Sequence, residues 1–161
     1  MPISQFHHTG VLVSDLDHSA RFYIRALGAE WRNKPVVVEG EGAAAVFPGT
    51  PGLKFRFCYL GFPDGGALEL MEFPEEPRPE WAELPAKGML PHFGLLVDDV
   101  AAAAERVVAE GGRMLWPAPV DWGGAMVLYV ADPDGNAMEL FDQPLERIVE
   151  MTNDLFPDAR P

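Results

Sequence analysis

Two histidines and two glutamates carry the chemistry in this sequence, because the chain presents them twice in the same order. A shift of 84 positions lays HHTGVLVSDL (residues 7–16) on PHFGLLVDDV (residues 91–100), so that His8 meets His92, Gly10 meets Gly94 and Asp15 meets Asp99. Further on, ALEL at 67–70 and AMEL at 137–140 each enclose a carboxylate, Glu69 and Glu139, between apolar residues. A carboxylate in such a setting is costly to bury alone, and two imidazoles with a divalent cation would offset that cost. The pattern points to a metal site.

The elements that position these residues follow from periodicity. Residues 6–13 alternate, which predicts a strand with His8 and Gly10 on one face and Val11 and Val13 on the other. His92 with Gly94, and Leu95 with Val97, repeat that division. Leu68 and Leu70, like Met138 and Leu140, flank their glutamate and take the face beneath the helices, which turns Glu69 and Glu139 to the same side as the histidines. Leu16, Ala20, Tyr23, Ile24 and Leu27 recur at helical spacing behind the cap at Asp15, and Gly28 ends that helix. A second helix is expected at about 100–110, stopped by Gly111 and Gly112.

Residues 35–47 predict a hairpin, with Val36, Val37 and Val38 in its first strand and GEG as its turn. Alternating strands at 55–62 and 66–73, joined by Pro63, Asp64 and Gly65, close the first half; a short strand near 113–116 and strands at 125–130 and 136–141 close the second. The division expected is a module at 1–74, a proline-rich link at 75–90, a second module at 91–143 and a helical tail at 144–161. In that tail Leu145, Ile148, Val149, Thr152 and Leu155 recur at helical spacing, which predicts an amphipathic helix packed on this subunit or a partner.

Composition excludes several function classes. With 12 basic and 25 acidic side chains the net charge is −13, which repels phosphate backbones and anionic lipid surfaces, so nucleic acid and membranes are excluded as partners. The lone cysteine, Cys58, lies in an apolar run and reads as a buried, inert thiol. With no apolar run of membrane-spanning length and no signal-peptide pattern at the N-terminus, a cytoplasmic location is expected.

Strand-helix-three-strand modules in tandem, a histidine opening each and a glutamate in each closing strand, resemble the vicinal oxygen chelate superfamily, which includes glyoxalases, bleomycin resistance proteins and extradiol dioxygenases. DPDGNAMELFD is the most specific piece, followed by HHTGVLVSDL with FYIRALGA, and the resemblance covers residues 6–143. It implies an α+β fold in which two tandem βαβββ modules form a curved, partly closed sheet around a metal cavity, with a C-terminal helix added.

Carried over by position, it makes His8, Glu69, His92 and Glu139 the ligands of one divalent ion, a set that suits Zn, Ni, Co, Mn or Fe(II). It also implies a homodimer and a small-molecule substrate able to chelate through oxygen. The activity implied is that of a lyase, isomerase or epimerase abstracting a proton next to a carbonyl through an enolate or enediolate, with Glu139 as base and Glu69 opposite.

Leu12 stands where glutathione-dependent lactoylglutathione lyases carry an arginine, which counts against glutathione, and no basic cluster is committed to coenzyme A phosphates. An Fe(II) ring-cleaving dioxygenase is the alternative enzyme, although Glu69 is one carboxylate beyond its usual set. A metal-free bleomycin-resistance-like binding protein is the alternative outside catalysis. His7, on the opposite parity, is expected at the helix side or an edge. His18, Glu39, Glu41 and Glu72 read as solvated. Phe47, Phe55, Phe57, Met71, Trp116, Trp122 and Met126 are candidate pocket walls, and Trp122 with Gly123 and Gly124 reads as a mobile loop.

Overall fold

The computed structural model describes residues 7–63, 65–75 and 91–155, of Leu155 the backbone alone. The chain divides into two compact units, Met1–Pro85 and Ala86–Pro161. Apart from residue 75, the expected link at 75–90 lies outside the described residues, as do Phe6 and Asp64.

In the first unit β1 (Thr9–Leu12) leads into α1 (Leu16–Leu27). The Asp15 carboxylate accepts from the His18 N–H at 2.9 Å, and Gly28 at φ 71° takes the left-handed turn that stops the helix. Two short strands, β2 (Glu30–Trp31) and β3 (Val36–Val38), both pair with β4 (Phe55–Gly61), which pairs with β5 (Ala67–Glu72); β1 lies parallel to β5. The second unit repeats the plan: β6 (His92–Leu96), α3 (Val100–Ala109), β7 (Arg113–Met114), β8 (Val120–Trp122), β9 (Ala125–Ala131) and β10 (Ala137–Phe141). There β7 and β8 both pair with β9, and β6 is parallel to β10. Each unit is thus a βαβββ module whose second strand, at the sheet edge opposite β1 or β6, is broken in two, on an open five-stranded sheet. The fold is α+β, with a C-terminal helix, α4 (Leu145–Leu155).

Alternation places the core of each unit between helix and sheet. Val11, Val13, Cys58, Leu60, Leu68 and Leu70 are buried with Leu16, Ala20 and Tyr23 of α1; Leu128, Val130, Met138 and Leu140 are buried with Val100, Ala103, Ala104 and Val107 of α3. Each such leucine contributes about 1.5–3 kcal/mol by leaving water.

Three local expectations are corrected. Residues 35–47 are not a hairpin: after β3, Gly40 turns the chain at φ 61° and α2 (Gly40–Val46) follows, because three consecutive alanines favour helix and Ala43 is buried. Trp122 ends β8, and Gly123 and Gly124 form a two-residue turn into β9 rather than a longer loop. Gly123 and Gly124 both have positive φ, and the Asp121 carboxylate accepts from the Gly124 N–H at 2.7 Å. On α4 the buried face is Met151 with partly covered Ile148 and Thr152, whereas Leu145 and Val149 are exposed; Trp122 completes that apolar cleft.

Glu72 is not solvated either. Its carboxylate takes Arg56 at 2.9 Å and the Leu16 N–H at 3.2 Å, while Arg56 also binds Asp17 at 2.8 Å, tying β4 and β5 to the first turn of α1.

Gly112 joins α3 to β7 where a Cβ would stand 2.5 Å from the Ala131 carbonyl oxygen and 3.0 Å from that of Val107. Gly112→Ala should therefore destabilise the protein by about 1–3 kcal/mol, overriding the smaller gain that glycine replacement gives through the unfolded chain. Urea denaturation measures this, and an unchanged or raised midpoint would contradict it.

Candidate functional site

In the first unit the parallel register sets Gly10 beside Glu69, so His8, two residues upstream, shares its face. The imidazole Nε2 stands 3.2 Å from Glu69 Oε2, with the side chains 30% and 19% exposed. On the other flank β4 places Tyr59 directly opposite Glu69, and the phenol donates to Oε1 at 2.8 Å. The second unit sets Gly94 beside Glu139 and Tyr129 opposite it. His92 Nε2 lies 3.3 Å from Glu139 Oε2, and the Tyr129 hydroxyl is 3.4 Å from the same nitrogen.

The structure therefore brings His8 to Glu69 and His92 to Glu139. Among the described residues no group of three or more His, Cys, Asp or Glu side chains is placed to hold a metal ion, so each unit offers one nitrogen and one oxygen. The geometry of each pair fits a shared ion. Two donors about 2.1 Å from one cation, at angles between octahedral and tetrahedral, stand about 3.0–3.4 Å apart. Both pairs fall in that window and both are open to solvent.

Electrostatics marks the tyrosines. Donation to Glu69, then burial, raises the Tyr59 pKa above the ordinary phenol value. For Tyr129 burial comes first and the bond to Glu139 second, and the rise is larger. Both phenols stay protonated donors across the physiological range. Neither tyrosine emerged as a site residue from the sequence, although a signal was present: Tyr59 and Tyr129 are separated by 70 positions, as are Glu69 and Glu139.

His7 is exposed, and its Nδ1 approaches Nδ1 of His8 at 2.6 Å, so it flanks the candidate ligand rather than packing under the helix. His18 is exposed at the start of α1. Glu39 pairs with Lys54 at 3.2 Å and Glu41 is exposed.

Of the candidate wall residues, Phe55, Phe57 and Met71 share the parity of Glu69, with Phe47 packed on Phe55, and Trp116 lies against Tyr129. Met126 takes the opposite face of β9 from Tyr129, and Trp122 belongs to the α4 cleft, so neither lines this face.

Paired βαβββ modules, each carrying a histidine and a glutamate on the face away from its helix, define the class. The chain belongs to the glyoxalase/bleomycin resistance protein/dioxygenase superfamily, whose model matches residues 5–140. It is 30% identical over 140 residues to the lactoylglutathione lyase of Haemophilus influenzae, covering 86% of this chain and 92% of that protein. It is 27% identical to an Arabidopsis thaliana protein named "Probable lactoylglutathione lyase, chloroplastic", covering 92% of this chain but only 40% of that protein's length. Among solved structures, a glyoxalase family protein from Bacillus cereus superposes with a TM-score of 0.74 at 21% identity over 88% of this chain and 95% of its own. A fosfomycin resistance protein from Listeria monocytogenes, solved with Mn(II) and a dihydroxypropylphosphonic acid, gives 0.60 at 20% identity over 94% and 99%.

Cys58 is buried on the helix face of β4, and burial pushes its thiol up to about 11. At pH 8 roughly one molecule in a thousand carries the thiolate, which alone attacks alkylating agents. Native protein treated with iodoacetamide should gain less than about a tenth of the label that unfolded protein gains in the same time. Intact mass spectrometry reads the difference; equal labelling would place Cys58 outside the core.

Proposed function

We propose that this protein is a divalent-metal-dependent enzyme of the lyase, isomerase or epimerase type, removing a proton from the carbon beside a carbonyl in a small substrate that binds through oxygen. The observation that carries the reading is the recurrence of one imidazole–carboxylate pair, at 3.2 and 3.3 Å, on the matching face of both modules. Membership of the superfamily, and relatives named for a lyase activity, support it.

His8, Glu69, His92 and Glu139 would together hold one ion, Zn, Ni, Co, Mn or Fe(II), the two pairs coming from one chain or from two copies in a homodimer. When bound, such an ion supplies stabilisation of the negative charge that develops on oxygen as the adjacent proton leaves. Glu139 accepts that proton and hands it back when the new carbon–hydrogen bond forms, with Glu69 as the second carboxylate opposite. Phe57 and Met71 share the face of Glu69.

Leu12 offers no cation to a glutathione carboxylate, so the substrate class proposed is a small 2-oxo compound or acyl thioester rather than a glutathione adduct. No helix among the described residues is long and apolar enough to cross a membrane. A cytoplasmic location is part of the proposal.

Protein purified without chelator should contain stoichiometric metal by elemental analysis and should exchange a substrate proton with deuterium from solvent across a panel of 2-oxo acids, thioesters and hemithioacetals. Glu139→Gln should lower the exchange rate by about 10²-fold or more. Full exchange in that variant would reject Glu139 as base. Metal without exchange would favour oxygen chemistry, and tight binding of aromatic ligands without metal would favour sequestration.

A further inference from the structure

We infer that Tyr59 and Tyr129 are positioning residues that hold Glu69 and Glu139 with a single carboxylate oxygen presented to a bound cation. This deepens the reading given above and rests on the ligand role proposed there for the two glutamates. Glu69 shows the device: the Tyr59 hydroxyl occupies Oε1 at 2.8 Å, which leaves Oε2 as the oxygen beside His8 Nε2 at 3.2 Å. An unanchored glutamate turns freely about its last bond and can offer either oxygen or both. One engaged by a phenol offers one, in a fixed direction.

The phenol is itself fixed. The Tyr59 ring meets His8 and Phe57 edge-on, at centroid distances of 5.4 and 5.8 Å, and the Tyr129 ring lies between His92 at 5.1 Å and Trp116 at 4.7 Å. Packing of that kind needs only an aromatic ring, and phenylalanine would supply it.

The internal repeat retains the hydroxyl. Laid side by side, β4 (FRFCYLG) and β9 (AMVLYVA) agree at one position of seven, the tyrosine, and in both strands it stands directly opposite the glutamate of the next strand. Two strands that have diverged everywhere else keep the one residue able to donate to that carboxylate.

The test uses Co(II) as probe on the full chain. Tyr59→Phe and Tyr129→Phe, which keep the ring, should each raise the Co(II) dissociation constant about tenfold or more and alter the visible absorption of the bound ion. Phe57→Leu, which loosens the same ring stack but leaves the hydroxyl, should leave the absorption spectrum unchanged. Wild-type affinity and spectrum in both tyrosine variants would overturn the inference, as would a Phe57→Leu spectrum matching that of Tyr59→Phe. If the unaltered protein fails to bind Co(II), the ligand role of the glutamates falls first, an outcome separable from the others.

Discussion

A charged carboxylate on an apolar strand is the constraint from which the rest of each module follows. In β5 and β10 the leucines and the methionine flanking the glutamate are almost wholly removed from water, and strand alternation then gives the glutamate no choice of face. Once turned away from the helix, a carboxylate only 19% or 12% exposed needs donors, because partial burial without them costs several kcal/mol. The fold supplies them from both neighbouring strands. The parallel edge strand brings a histidine and the antiparallel inner strand a tyrosine. Glycine at positions 10 and 94 leaves the carboxylate's lateral neighbour without a side chain; at Gly10 even a methyl group would come within 3.2 Å of Met71.

What the sequence disclosed well were features written in strict periodicity or in caps. α1 spans the residues that its helical spacing and its Asp15 and Gly28 boundaries announce, and the parity of His8, Glu69, His92 and Glu139 follows from counting in twos. What it hid were features settled by packing. Residues 40–46 contain two glycines and three alanines, a composition that serves a turn as readily as a helix until Ala43 finds a buried place. On α4 Met151, rather than Val149, faces Trp122, because the rotation of a terminal helix depends on what it meets rather than on its own pattern.

Glu72 departs from the expected solvated position for a related reason. It shares the helix-side parity of Leu68 and Leu70, a position where a charge is tolerated only with a partner, and that partner, Arg56, sits 16 residues away on a strand that reads as apolar. The two tyrosines escaped notice because each looks like an ordinary aromatic within an alternating strand. Only the shared 70-position offset, the one that also links the glutamates, sets them apart.

Ligand number gives the duplication its physical sense. One module presents an imidazole and a carboxylate, and two donors leave a divalent ion with most of its coordination shell in water, from which it escapes easily; protein sites that retain such ions supply three or four. Under the ligand role proposed above, a single βαβββ unit of this design would be half of a site. Two copies would restore the number while keeping each pair under local control, because strand register within each unit fixes the His–Glu distance. Local control explains how the modules can differ at most positions of β4 and β9 and still set nearly equal His–Glu distances, 3.2 and 3.3 Å: the requirement is imposed strand by strand, by parity on β5 and β10 and by the residue each neighbour sets beside the glutamate.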